Sequence, residues 1–232
     1  MELTGANSSR VGRINSRIGV LGGTFDPVHN GHLAVASAVF NVLELTRVLF
    51  VPAARPWIKE SGTGRDVSPI EHRVAMVKLA IEGREGFELS RVDADRPGLS
   101  YSVDTISDLR TKYGHAAELL LILGADALEE LPRWREPERL REMCTLVCVG
   151  RPGAVRPEDL PPDHPGHGAQ FVSGPMLAVS ATDIRACVSE GLSIDGLVPA
   201  PVAAYVERHG LYGPVNGPDH SRDGSRVESE ER

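Results

Sequence analysis

The chain has 232 residues, the length of one sizeable domain with appendages, which rules out fibrous and very small disulfide-stapled folds. Lys and Arg total 25 against 32 Asp and Glu, a formal charge of -7 that excludes a chain-wide basic surface for nucleic acid, and 41% of residues are hydrophobic, as in ordinary soluble domains. Three cysteines, Cys144, Cys148 and Cys187, suit neither a disulfide framework nor a zinc site, and no apolar run approaches the roughly 18 residues of a membrane span. A soluble, cytoplasmic protein with reduced thiols is expected.

In chain order, residues 1–17 carry arginines and small polar residues without the apolar centre of a signal peptide, and read as a disordered lead. From 18 to 213, one domain, short apolar runs alternate with segments of helical period. RIGVLGG reads as a strand, LAVASAVFNVLE as a helix and RVLFVPA as a strand. The helix IEHRVAMVKLAIEG has a marked start, with Ser68, Pro69 and Glu71 forming a capping box and proline at the first helical position. FELSRV, SVDTISDLRTKYG, ELLLILG, PERLREMC and TLVCVG continue the alternation, and Cys144 and Cys148 read as buried apolar thiols. The proline-rich stretch 150–169 reads as a surface loop with His164 and His167 in solvent, followed by a strand, QFVS. Ser180 and Asp183 repeat the helix-start layout, APVAAYVERHGLY closes as an amphipathic helix, and 214–232 is a charged tail with too little apolar surface to fold. The alternation predicts an α/β fold, a doubly wound parallel sheet with a small C-terminal helical end.

The stretch that carries chemistry is Gly22-Gly23-Thr24-Phe25-Asp26-Pro27-Val28-His29-Asn30-Gly31-His32, between the first strand and the first helix. In an open parallel sheet this is a ligand loop, where a helix start offers free N–H groups and a partial positive charge to phosphate. The glycines let backbone approach a phosphate, Thr24 adds a hydroxyl, and His29 and His32, three apart, can point the same way. Two imidazoles aimed at one place can donate to phosphoryl oxygens whose charge grows in a transition state. Neither a Walker A sequence nor a dinucleotide fingerprint is present. Read on their own, two histidines beside glycines more often simply form a turn and cap a helix.

GGTFDPVHNGH is similar to the signature of the nucleotidylyltransferases, whose H-x-G-H element is matched by His29, Gly31 and His32. A second element of that family is matched by Val179-Ser180-Ala181-Thr182-Asp183-Ile184-Arg185, with valine for the leading isoleucine. Within the superfamily the chain resembles the bacterial nicotinate-nucleotide adenylyltransferases over roughly 18–213. Supporting segments are Pro56-Trp57-Ile58-Lys59, Ser100-Tyr101-Ser102-Val103-Asp104-Thr105 with serines for two threonines, Gly124-Ala125-Asp126, and Trp134. Read without the family, Asp126 serves a ligand or caps a helix, Asp104 orients a neighbour or sits in a first helical turn, Lys59 neutralises phosphate or is solvated, and Trp134 stacks on a base or packs.

The resemblance implies adenylyl transfer from ATP to nicotinate mononucleotide, releasing pyrophosphate, with magnesium as ATP's companion and no metal caged by the protein. His29 and His32 would hold the α and β phosphates. Gly22, Gly23, Thr24 and the Phe25 amide would hold phosphate, and Ser180, Thr182 and Arg185 the leaving pyrophosphate. Lys59, Ser100, Tyr101, Asp104, Gly124, Asp126 and Trp134 would take the nucleoside and pyridine parts. Nucleic acid and membrane partners are not expected. The rivals are phosphopantetheine or another acceptor on the same fold, and a binding module without turnover.

Overall fold

The computed structural model describes residues 16–56, 67–151, 153–175 and 177–213. Its six strands are β1 (Arg17–Gly23), β2 (Arg47–Pro52), β3 (Phe87–Leu89), β4 (Glu118–Gly124), β5 (Thr145–Gly150) and β6 (Gln170–Ser173). They form one sheet in the order β3-β2-β1-β4-β5-β6, with every neighbouring pair parallel. The described helices are α1 (Asn30–Val42), α2 (Ile70–Ile81), α3 (Ser102–Tyr113), α4 (Ala125–Glu129), α5 (Pro137–Met143), α6 (Ala181–Ser189) and α7 (Ala200–Arg208).

Strands covered on both faces read as unbroken apolar runs, and β4 shows why. Leu119, Leu121 and Leu123 enter one core with Ile106 and Leu109 of α3 and Leu140 of α5. Leu120 and Ile122, in alternation, enter the other with Ala36 and Val39 of α1, Met76 and Val77 of α2, Ile184 of α6 and Val202 of α7. Each of these leucines contributes about 1.5 to 3 kcal/mol by leaving water, so the two-sided burial anchors the centre of the sheet. The strand order turns back between β1 and β4, and such a switch point opens a crevice at the carboxyl ends of the strands.

Several local expectations are modified by tertiary bonds. Helix α2 starts at Ile70 with Pro69 at the N-cap, one residue later than the capping box requires. The N–H of Ser68 donates instead to Asp26 Oδ2 at 3.2 Å, and its carbonyl accepts Arg73 Nε at 2.8 Å. His164 and His167 are not solvated: His164 Nδ1 accepts the Gly166 N–H at 2.9 Å, while its Nε2 meets the Glu129 carbonyl at 3.2 Å and His167 Nδ1 the Leu160 carbonyl at 2.9 Å. His164 fastens the proline-rich loop to the end of α4, and His167 ties the loop to itself. Ser180 does cap α6, accepting the Asp183 N–H at 3.1 Å. Cys144 and Cys148 are free and buried, and burial pushes the Cys144 thiol up to about 12. Strand β1 begins at Arg17, inside the expected lead; residues 1–15, Lys59 and the tail 214–232 lie outside the described residues. Among the described residues no helix is long and apolar enough to cross a membrane.

Candidate active site

The crevice at the carboxyl ends of β1, β4 and β5 is a cavity of about 790 Å³. Gly22, Gly23, Thr24, His29, Gly31 and His32 form one wall, Ser100 and Tyr101 a second, and Gly124, Asp126 and Trp134 a third. A Cβ built on Gly22 would meet nothing within 4 Å, so this backbone faces open cavity and leaves room for a ligand to touch it.

His29 is the extended N-cap of α1 and His32 lies in its first turn, which brings the two rings into a stack 3.7 Å apart at 26°. Gly31 is what allows this, since a Cβ there would stand 3.0 Å from Nδ1 and 3.1 Å from Cε1 of His29. The His29 N–H donates to His32 Nδ1 at 3.2 Å, so a neutral His32 carries its proton on Nε2. His29 Nδ1 is buried with no partner among the described residues. A buried polar atom left alone costs about 1 to 3 kcal/mol, and a ligand that bonds to it removes that cost. Burial lowers the His29 pKa to about 4, and burial with the adjacent His29 charge lowers His32 to about 3. At neutral pH both rings are therefore neutral hydrogen-bonding groups.

Phe25 has φ of 51° and a buried ring that meets the His32 ring edge-on at 4.9 Å. Its side chain is floor beneath His32, and only its amide is left for a phosphate. The orientation of that amide is set by Arg73 on α2, which sequence reasoning missed. Arg73 is 1% exposed, and its guanidinium donates to the carbonyls of Ser68, Thr24, Ala53 and Ala54 at 2.6 to 3.0 Å. In a trans peptide the C=O and the following N–H point opposite ways, so holding the Thr24 carbonyl turns the Phe25 N–H away from Arg73. The sequence does hold a signal: Arg73 is in phase with buried Val77 and Ala80, so an arginine sits on an apolar stripe.

The chain matches the cytidylyltransferase-like family over residues 20–187. A probable nicotinate-nucleotide adenylyltransferase of Thermomicrobium roseum is 44% identical over 200 residues, covering 85% of this chain and 92% of the relative. One of Roseiflexus sp. is 45% identical over 201 residues, covering 84% and 97%. The chain belongs to the nicotinate-nucleotide adenylyltransferase family. In fold it is similar to Plasmodium falciparum nicotinic acid mononucleotide adenylyltransferase complexed with NaAD, with a TM-score of 0.70 at 16% identity over 85% of this chain and 98% of that one.

The remaining expected residues of this family member divide by position. Ser100 Oγ accepts the Arg55 N–H at 3.0 Å, holding the second wall against the loop after β2. Trp134 is half-buried on the wall, and its indole Nε1 is buried without a partner among the described residues. Asp104 is off the wall, 3.7 Å from Arg135, whose guanidinium lies 4.9 Å over the Tyr101 ring. Ser180, Thr182 and Arg185 are also off the wall. The Ser180 hydroxyl donates to Asp183 Oδ2 at 2.7 Å, and Arg185 donates to the Asp26 carbonyl at 2.7 Å and to Thr182 Oγ1 at 3.2 Å. Two charged wall residues went unanticipated: Arg151, just past β5, and Asp93, which is buried, accepts the Ala54 N–H at 3.3 Å and pairs with Arg96. No group of three or more His, Cys, Asp or Glu able to hold a metal ion occurs among the described residues.

Proposed function

We propose that the cavity holds ATP and nicotinate mononucleotide together, and that the histidine loop stabilises the adenylyl group as it passes between them. The enzyme transfers the adenylyl group of ATP to nicotinate mononucleotide, giving nicotinate adenine dinucleotide and pyrophosphate, a step of NAD biosynthesis. A phosphate oxygen of the mononucleotide forms a bond to the α-phosphorus while the bond from that phosphorus to the α–β bridging oxygen breaks, its electron pair leaving with pyrophosphate. The nucleophile is already anionic, so no general base is required, and catalysis consists of positioning and charge stabilisation.

In this reading His29 and His32 donate to α- and β-phosphate oxygens, as neutral N–H groups aimed at charge that grows in the transition state. Gly22, Gly23, Thr24 and the Phe25 amide hold the acceptor phosphate. Gly124 and Asp126, at the start of α4, take a ribose; Ser100, Tyr101 and Trp134 take the pyridine end, with Asp104 acting behind them through Arg135. The start of α6, with Ser180, Thr182 and Arg185, holds the leaving pyrophosphate, and Lys59 neutralises phosphate. Magnesium enters with ATP, as part of that substrate. The enzyme works in the cytoplasm, where ATP is made and where its three free thiols stay reduced.

The observation that carries this reading is the unpartnered ring nitrogen of His29, stacked on His32 in the wall of a cavity at the sheet's switch point. Mass spectrometry after offering ATP and magnesium with nicotinate mononucleotide, nicotinamide mononucleotide or phosphopantetheine tests it. Nicotinate adenine dinucleotide with stoichiometric pyrophosphate is expected as the main product. A product from phosphopantetheine alone, or none from any acceptor, would overturn it.

A further inference from the structure

Asp26 lies between the glycines and the histidines of the catalytic loop, yet its side chain is 5% exposed and is not on the cavity wall. Its polar atoms face the other way. Oδ1 accepts the Tyr212 hydroxyl at 2.6 Å, Oδ2 accepts the Ser68 N–H at 3.2 Å, and the backbone carbonyl accepts Arg185 at 2.7 Å. A buried carboxylate needs such donors, so the side chain of Asp26 is committed to bracing.

Tyr212 follows α7, and its φ of 63° is a left-handed conformation that a bulky side chain rarely adopts. Such a backbone persists only where tertiary bonds over-determine it, and the bond here is to a carboxylate 186 residues away. The same C-terminal region grips the far side of the histidines. The Asn30 N–H donates to the Leu197 carbonyl at 2.9 Å, and Asn30 Nδ2 to the Gly196 carbonyl at 2.8 Å. Helix α7 is itself tied to α2 by the 2.9 Å contact between Tyr205 Oη and His72 Nδ1. His29 thus sits between two attachment points, Asp26 and Asn30, both supplied from the C-terminal end.

We propose that Tyr212 is a positioning residue for adenylyl transfer, acting through Asp26 to hold His29 and His32 in place; this rests on the role given above to those histidines. Displacing aligned groups by even 1 Å costs up to about a hundredfold in rate while binding elsewhere in the cavity survives. The loss therefore falls on kcat and spares KM.

The test uses the full chain with Tyr212→Phe, which removes one hydroxyl and leaves the ring. Hydrogen exchange needs no substrate: amides of 24–32 are expected to exchange faster in the variant, with those of β4 unchanged. In turnover of ATP with nicotinate mononucleotide, kcat should fall about tenfold with both KM values within a factor of about two. Asp26→Asn takes one accepting oxygen from a carboxylate that serves both Tyr212 and the Ser68 N–H, so it should lower kcat at least as far, and the double variant should lose less than the product of the two single losses, since Tyr212 and Asp26 share one connection. Unchanged exchange in 24–32, unchanged kcat, or losses that multiply in the double variant would each overturn the proposal. Should Asp26→Asn fail to fold, the exchange and turnover of Tyr212→Phe decide. Absence of dinucleotide formation by the unaltered protein would instead overturn the functional reading, while the exchange result still reports on the Tyr212 contact.

Discussion

The loop from Gly22 to His32 and the segment from Ser180 to Arg185 carry the two signature motifs, but their polar groups are in opposite conditions. In the first, His29 Nδ1 has no partner among the described residues and Gly22 faces open cavity. In the second, the Ser180 hydroxyl both donates to and accepts from Asp183, and Arg185 is bonded to Thr182 and to the Asp26 carbonyl. A group that already has partners gains only the difference between old and new bonds when a ligand arrives, whereas an orphaned buried group gains nearly the whole of its missing bond. The first motif keeps an unpartnered nitrogen and an open backbone; the second braces the first, and the phosphate role proposed for it would require an exchange of these contacts.

Removing the support beneath the presenting loop should produce the largest effect. Arg73→Ala leaves four backbone carbonyls without their donor and removes the buried cation beside Asp26 and Asp93, which should destabilise the fold by about 3 to 5 kcal/mol in urea unfolding. A loss below about 1 kcal/mol would show that water substitutes for the guanidinium. Within the loop, His32→Ala should lower kcat by on the order of 10² to 10³ with the melting temperature kept, the range for one transition-state donor. Activity within about threefold of wild type would remove His32 from the chemistry.

The neutral histidines also predict a pH dependence. An unfolded imidazole titrates near 6.5, while His29 and His32 titrate in the fold near 4 and 3, so between those values the unfolded chain binds more protons. Stability present above pH 6.5 is therefore lost as pH falls, levelling off only where the folded rings protonate. From pH 7 to pH 5 the loss is about 2 kcal/mol for each ring, and His32→Asn should shrink it by about that amount in denaturation curves. A variant that loses stability as steeply as wild type would contradict neutral burial.

The smallest expected effect lies in the bracing motif. Arg185→Lys keeps the charge but loses the planar fork, so specificity for ATP should fall by roughly fivefold, about 1 kcal/mol, while calorimetric affinity for the mononucleotide holds. A larger loss on the mononucleotide side would reverse the placement of the two substrates.

What the sequence determined by itself is local or periodic. Strand and helix order follow from alternation of apolar runs, the α6 cap from Ser180 and Asp183 three residues apart, and the juxtaposed histidines from their spacing on one helix turn, with Gly31 between them. Tertiary structure alone decided which polar groups would be left free. Ser68 was drawn from its capping role by Asp26, 42 residues away; Arg73 found carbonyls up to 49 residues away; and Asp26 found Tyr212 across 186. Hydrogen-bond partnership depends on which groups the fold brings within about 3 Å, and no periodicity in the chain encodes that distance.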